Sequence, residues 1–535
     1  MKIHEISPQG LHALLLGEHE LALLDLREQG AFGESHLLYA SCLPLSRLEL
    51  RVGRLVPRRS VPVVLCDGGE GLAERGVPKL GALGYTDVRV LAGGVPGWEA
   101  AGYTVFSGIN VPSKAFGEFI EHEFGTPSVS TEELKEMMDR GERLVVLDSR
   151  PMDEFQVMSI PGGVCCPGVE LVHRVGDVAP DPETLVVVNC AGRTRSIIGA
   201  QGLINAGIPN RVTSLRNGTM GWHLAGYGLA HGRTERPPPR GAAWREGSAR
   251  AAERLAERFG VEYVDAATLV AWRGEADRRS LYVFDVRSPE EYREGHLADA
   301  VHVAGGQLVQ ATDEHVGTLG ARIALVDDDG VRATLAASWL RQMGREAFVV
   351  RGALEAEDLV SGPGPTGLAG VSAPALVTPP ELEALVAGER ALVLDLADSR
   401  TFRRGHVPGA WHAVRADLSE RLAALPPRPV TVLTSPDGVL AAFAAEDMEG
   451  DVRVLDGGTA AWTAAGRALV PGEEDRIAAN VNDVWLRPYD RGTGVEDAMQ
   501  AYLDWEIDLV AQLARDGTAR FGPFRESAPE SGRVG

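Results

Sequence analysis

The 535-residue chain is poor in the features that would assign it quickly. It has five cysteines, Cys42, Cys66, Cys165, Cys166 and Cys190, an odd and sparse set that does not read as a disulfide framework. No Cys-x-x-Cys pair and no His/Cys spacing suggests zinc. No GxxxxGK[ST] loop is present for a nucleotide. No apolar run approaches the roughly 18 residues of a membrane span. The opening "MKIHEISPQGLHALLLGEHE" turns acidic too early for a secretory signal, so the expected location is cytoplasmic. Positive charge is also short. Lys plus Arg number 53 against 75 acidic residues, a net charge of −22 that speaks against nucleic acid or an anionic membrane as main partner.

What the chain has is repetition, at domain length. Four segments open with an apolar strand ending in aspartate: "ALLDLREQGAFGESHL", "LVVLDSRPMDEFQVMSIPGG", "LYVFDVRSPEEYREGHLADA" and "LVLDLADSRTFRRGHVPGA". Three carry Asp-x-Arg, at Asp25/Arg27, Asp148/Arg150 and Asp285/Arg287; the fourth keeps Asp395 but has Ala397. Each continues with a second apolar strand, a helix pattern and a third strand ending at glycine. Strands alternating with helices imply parallel sheets covered on both faces, so the expected class is α/β, four times over. The expected boundaries are 1–110, 111–235, 244–360 and 374–472, then a helical tail, 473–535. Linkers are read at 231–243 and 361–374. In the tail, "GVEDAMQAYLDWEIDLVAQLARDG" has apolar residues at helical spacing and is expected to pack back on a domain.

The chemistry concentrates in "VVVNCAGRTRSIIGAQG" of the second repeat. Cys190 closes a strand and opens a loop into a helix N-terminus, where ligands of open α/β sheets bind and where free N–H groups favour an anion. That setting, with Arg193 and Arg195 adjacent, is expected to push Cys190 toward thiolate and to seat an anionic substrate. The main-chain N–H groups of Ala191, Gly192, Arg193, Thr194, Arg195 and Ser196 are the expected cradle. The bland alternative, Cys190 as a small buried hydrophobe, is the weaker reading in this loop. The corresponding place is read as Cys66 in the first repeat, Asp327 or a neighbour in the third, and Thr434 or Ser435 in the fourth. Around Cys66 the arginines give way to Asp67 and Glu70, which raise a thiol's pKa and repel anions; it is expected to be a weak or vestigial secondary site.

Together the Asp-x-Arg strand, the Glu291/Tyr292/Gly295/His296 stretch, the Cys-loop-helix and the Gly-Gly-x-x-x-Trp end resemble rhodanese domains. The resemblance covers nearly all of the chain, as four tandem domains, and implies a sulfurtransferase of the bacterial thiosulfate type. It implies that Cys190 attacks the outer sulfur of thiosulfate, that sulfite leaves, and that a thiol or cyanide takes the sulfur from the persulfide. Arg150 joins the expected substrate-binding set. No metal or organic cofactor is implied, and a homodimer is left open. The six residues from Cys190 to Arg195 match the sulfurtransferase loop; the phosphatases of this fold have one residue more. A phosphatase or arsenate reductase, and a non-enzymatic persulfide carrier or binding scaffold, stand as the alternatives. Met158 and Ser159 replace a Gly-His whose histidine is read as structural. Trp222 is read as a pocket wall or, at least equally, as core. Cys165 and Cys166 are read as small core residues before a vicinal disulfide or sulfur relay, and Asp327 to Asp329 as a solvated loop before a metal seat.

Overall fold

The computed structural model describes residues 3–365, 373–478 and 481–522. Residues 366–372 of the expected linker at 361–374 and the end of the tail lie outside the described residues. Four sheets form, one per repeat. In the second repeat the strand order is Ser128–Val129, Val212–Leu215, Leu185–Asn189, Leu144–Asp148 and Val164–Cys165, all parallel. Strand alternation feeds two cores at once. Val186 and Val188 enter one cluster, while Val187 faces Leu134, Leu215 and Trp222 on the other side.

The first sheet departs from the expected purely parallel pattern. Thr318–Leu319, from the third repeat, pairs antiparallel with Ala22 and Leu21 at its edge. This covers an edge that would otherwise present unpaired N–H and C=O groups. The first and third repeats are fastened further by Ser280, which donates from N and Oγ to Glu20, and by Tyr282 Oη donating to Leu55 O (2.6 Å). The second and third repeats share one continuous core. They touch at Gly168 and Gly306, where a Cβ on Gly168 would lie 2.6 Å from Gly306 Cα. The fourth repeat is tied to the first by Arg415, paired with Glu49 (2.7 Å).

The two expected preambles are helices, Val111–Phe124 and Ala242–Phe259. The tail helix is Val495–Asp516, and it packs across the first two domains. Its buried stripe is Met499, Leu503, Glu506, Leu509, Leu513 and Asp516, the three-and-four spacing of a helix face. Gln512 Nε2 donates to Val105 O of the first domain (2.7 Å), and Met499 and Leu503 pack on Met158 and Met220 of the second. Among the described residues no helix is long and apolar enough to cross a membrane.

Candidate active site

Sheet register fixes which residues of the four repeats correspond. Opposite the aspartate that ends the first long strand of each repeat stand Cys66 (Asp25), Asn189 (Asp148), Val326 (Asp285) and Thr434 (Asp395). The loop position that follows is therefore Asp67, Cys190, Asp327 and Ser435. This corrects the expected alignment: Cys66 corresponds to Asn189 and is a fully buried strand residue, not a loop nucleophile. Burial and the neighbouring Asp25 push its thiol well up. In the fourth repeat Ser435, not Thr434, holds the position.

The hydrogen bonds repeat in the same register. Asp67 Oδ2 accepts from Ala73 N (2.9 Å), Asp327 Oδ2 from Ala333 N (3.0 Å), and Ser435 Oγ from Ala441 N (3.3 Å), each six residues on. The aspartates take a second loop N–H as well, from Gly69 and from Gly330. Three of the four loops thus fill their own anion seat with a side-chain oxygen. In the second repeat Cys190 Sγ takes that place, and it faces Ser196, the sixth residue on, with Sγ–Oγ 3.7 Å. Ala191 follows where the first domain has Gly68 and the third Asp328. The Cys190 carbonyl is held by Thr219 N (2.9 Å), just as Asp67 O is held by Val95 N and Ser435 O by Thr459 N. Gly218, with φ of 56°, lets that turn approach: a Cβ there would sit 2.5 Å from Cys190 O.

The expected free positive charge is largely compensated. Arg193 is bidentate to Glu118 (2.7 Å to each oxygen), pairs also with Glu121, and reaches Asn217 Oδ1. Arg195 is bidentate to Glu154 (2.9 and 2.7 Å) and touches Gln307 of the third domain. Burial works against the Glu154 charge, yet Arg195, with Arg150 and Arg487 behind it, brings the carboxyl down to about 2. The same pair recurs without a cysteine, as Arg332 with Glu291 in the third domain. Arg150 is wholly buried and spends its guanidinium on Asp148, Met158 O and Thr219 Oγ1. Arg27 and Arg287 do the same with Asp25 and Asp285. The structure places Arg150 as a strand-to-loop brace rather than in a substrate pocket.

Burial also reverses the expected direction for the Cys190 thiol. Cys190 is 2% exposed. Desolvation raises its thiol pKa, and Glu506 adds to the rise; Arg195 and the hydrogen bonds from Ser196 oppose without overcoming it. The cause is a wall that sequence reasoning did not foresee: Met220 and, from the tail helix, Tyr502 and Glu506. A Cβ on Gly192 would meet Glu506 Oε2 at 2.9 Å, Met220 Cε at 2.9 Å and Tyr502 Cε1 at 3.5 Å. Thr194 Oγ1 donates to Glu506 Oε1 (3.0 Å). Glu506 was detectable in principle, as a charged residue set into the apolar stripe between Leu503 and Leu509.

The remaining candidates fall into place as structure. All five cysteines are free. Cys165 Sγ lies 3.4 Å from Arg150 O, and its counterparts Cys42, His302 and His412 touch the equivalent carbonyls, so the position is a brace. Trp222 Nε1 donates to Gly228 O from within the core, matching Trp98 and Trp462. His36, His296 and His406 stack on Phe32, Tyr292 and Phe402. Asp327 is not solvated but buried, and burial pushes its carboxyl up to about 6. His173, Asp328 and Asp329 cluster closely, but Arg332 and Arg240 neutralise them.

Comparison with known proteins agrees with this architecture. The rhodanese-like domain model matches residues 7–101, 130–225, 265–356 and 378–465. A solved thiosulfate sulfurtransferase from Pseudomonas aeruginosa is 46% identical, with a TM-score of 0.94 over 98% of this chain and 100% of that one. A rhodanese-related protein from Thermoplasma volcanium is 17% identical over 18% of this chain and 97% of that one (TM-score 0.17). A rhodanese-like domain protein from Staphylococcus aureus is 20% identical over 18% and 99% (TM-score 0.17). A search of curated proteins gave no match. Four domain matches on four sheets, with one loop architecture recurring in each, place the chain in the rhodanese family.

Proposed function

We propose that the protein is a thiosulfate sulfurtransferase whose reaction runs through Cys190. The carrying observation is that, of four equivalent loop positions, only the second repeat offers a nucleophilic sulfur where the others offer Asp67, Asp327 and Ser435. The similarity to the Pseudomonas aeruginosa thiosulfate sulfurtransferase supports the donor class. Sγ attacks the outer sulfur of thiosulfate, the sulfur–sulfur bond breaks with its electron pair on sulfite, and a Cys190 persulfide remains. Cyanide or a thiol then takes the outer sulfur and returns the Cys190 thiolate. The N–H groups from Ala191 to Ser196 hold the charge that moves between the inner and outer sulfur. Arg195 supplies a field at Sγ, while Arg193 and Arg150 position the loop. Domains one, three and four serve as frame: they contribute Gln307 at Arg195, a completed sheet edge and the anchoring of the tail.

Because Cys190 is buried, thiosulfate reaches Sγ only by displacing part of the wall, of which Met220 and Tyr502 lie directly over Gly192. The test is the full-length protein with thiosulfate plus cyanide beside p-nitrophenyl phosphate. Thiocyanate formation that is lost in Cys190→Ser is expected. Cys190-dependent phosphate release without thiocyanate would replace this reading with the phosphatase one.

A further inference from the structure

The first and third domains use the same sheet edge differently. In the first domain the strand Leu21–Asp25 is closed along that edge by two segments. Ser41 and Cys42 stand beside Leu24 and Asp25, and Leu319 and Thr318 of the third domain stand beside Leu21 and Ala22. In the third domain the matching strand is Leu281–Asp285. Val301 and His302 stand beside Phe284 and Asp285, and among the described residues no strand pairs with Leu281 or Tyr282 on that side. Hydrogen bonding along a strand alternates from side to side. Arg322 N donates to Ser280 O (3.0 Å) and Val286 N to Val326 O (3.0 Å), so the even-numbered residues bond the inner neighbour. Val303 N donates to Asp285 O (3.1 Å) on the other side, and Leu281 and Val283 turn their N–H groups that way, toward the edge. The first domain does not return the strand it receives: its matching segment carries Pro57 and Pro62, which have no N–H to donate.

A cavity of about 520 Å³ runs along that edge, within the roughly 300–1,000 Å³ of ligand sites. Leu281, Tyr282, Val283 and Phe284 all line it. Side chains of a strand point to alternate faces, so four consecutive residues share one cavity only along the edge. Another wall is the first domain's helix Leu48–Leu55 with Pro57. Charge on the walls is uneven. Arg273 is taken up by Asp299 (2.6 Å) and Glu357 (2.8 Å), and Glu314 accepts from Asn110 Nδ2 (2.8 Å). Arg51 and Arg54 stand three apart on one helix face and line the cavity. Among the described residues neither forms an ion pair; Arg51 Nη1 donates to Cys42 O (3.2 Å). Unpaired N–H and C=O groups on a strand edge are a template for a further strand, and the first domain's copy of this edge has accepted one. We propose that the open edge at Leu281 to Val283 takes an extended acidic peptide segment of a partner protein, its main chain added to the sheet and its carboxylates on Arg51 and Arg54.

The experiment is fluorescence anisotropy of a labelled short peptide that alternates glutamate with valine, titrated with the full-length protein beside its lysine–valine counterpart. Saturable binding of the acidic peptide, one per chain, is expected, and none of the basic one. Leu281→Pro removes an edge N–H at the first residue of the strand, where proline is tolerated. It is expected to weaken binding by about tenfold, as is Arg51→Glu combined with Arg54→Glu. Both proteins are expected to keep thiosulfate:cyanide transfer unchanged, since none of the three residues touches the Cys190 loop. Amide hydrogen exchange across Ser280 to Phe284 is expected to slow when the acidic peptide is bound. Equal binding of the two peptides, an affinity unchanged in both altered proteins, or no saturable binding up to about 1 mM would overturn the proposal. Should Leu281→Pro fail to fold, the arginine substitutions and the exchange measurement decide alone. A protein that dimerises by itself, and loses the dimer with Leu281→Pro, would give the edge to a second copy and overturn the peptide reading.

Discussion

The loops of the first and second domains share one backbone and differ in what occupies it. Asp67 and Cys190 follow the same strand, have their carbonyls held by the same turn and face a residue six places on. Asp67 satisfies two loop N–H groups with its own carboxyl oxygens, so the first domain fills the cradle from within. Cys190 offers a polarisable sulfur to the same cradle and leaves the N–H groups to whatever charge the reaction brings. On the proposed function, an anion seat that is filled from within is a structural joint and the one closed by a thiol is the reaction centre. The third and fourth domains, with Asp327 and Ser435, fall on the joint side of that line.

The most drastic way to break the comparison is at the sulfurs themselves. Cys190→Ser is expected to abolish thiosulfate:cyanide transfer, while Cys66→Ser keeps most of it, because Cys66 stands one residue before the loop position. Loss of activity in Cys66→Ser alone, in a folded protein, would invalidate the register argument.

Next in size is the Arg195–Glu154 pair. Arg195→Ala leaves the buried Glu154 carboxylate without its partner and is expected to destabilise the protein by about 3–5 kcal/mol in denaturant unfolding. Adding Glu154→Gln is expected to restore most of the stability but not the thiosulfate rate, since the field at Cys190 stays lost. Recovery of both together would make Arg195 purely structural.

Stability then separates the two kinds of loop. Asp67→Ala removes a charged acceptor from Gly69 and Ala73 and is expected to cost about 1.5–3 kcal/mol. Cys190→Ala gives up only a long sulfur contact and a small volume, about 1 kcal/mol by the same unfolding measurement. Equal costs would mean that Cys190 braces its loop as Asp67 does.

The last effect concerns pH. Burial raises the folded-state Glu506 carboxyl from 4.5 to about 6. The folded state therefore favours the protonated form, and stability declines as pH rises from about 4.5, reaching its full loss above about 6, roughly 2 kcal/mol. Glu506→Gln, which never ionises, is expected to be more stable than wild type above pH 6 and to lose that margin below pH 4.5. A constant difference across that range would remove the Glu506 titration.

Much of this was legible in the sequence, for physical reasons that differ by element. The four repeats follow from strand–helix periodicity, and the Cys190 loop from a nucleophile placed between an apolar strand and a helix with glycine and arginine around it. The equivalence of Cys66 and Cys190 was misread because one residue of register is invisible without the sheet: "VVLCD" and "VVNCA" look alike until Asp25 and Asp148 are paired across. The free charge of Arg193 and Arg195 was overestimated because their partners, Glu118 and Glu154, are 75 and 41 residues away. The tail's contribution was hidden for the same reason, with Glu506 meeting Thr194 across 312 residues. Glu506 still left a trace, a carboxylate set between Leu503 and Leu509 on the apolar face of a helix.

The central claim is that one of four equivalent loops does chemistry, and mass spectrometry of the intact protein after brief exposure to thiosulfate tests it most directly. The account predicts one added sulfur per chain, mapped to the peptide containing Cys190 and absent from Cys190→Ser. A sulfur carried instead by the peptide of Cys66, Cys42, Cys165 or Cys166, or an unmodified chain under conditions that form thiocyanate, would contradict it.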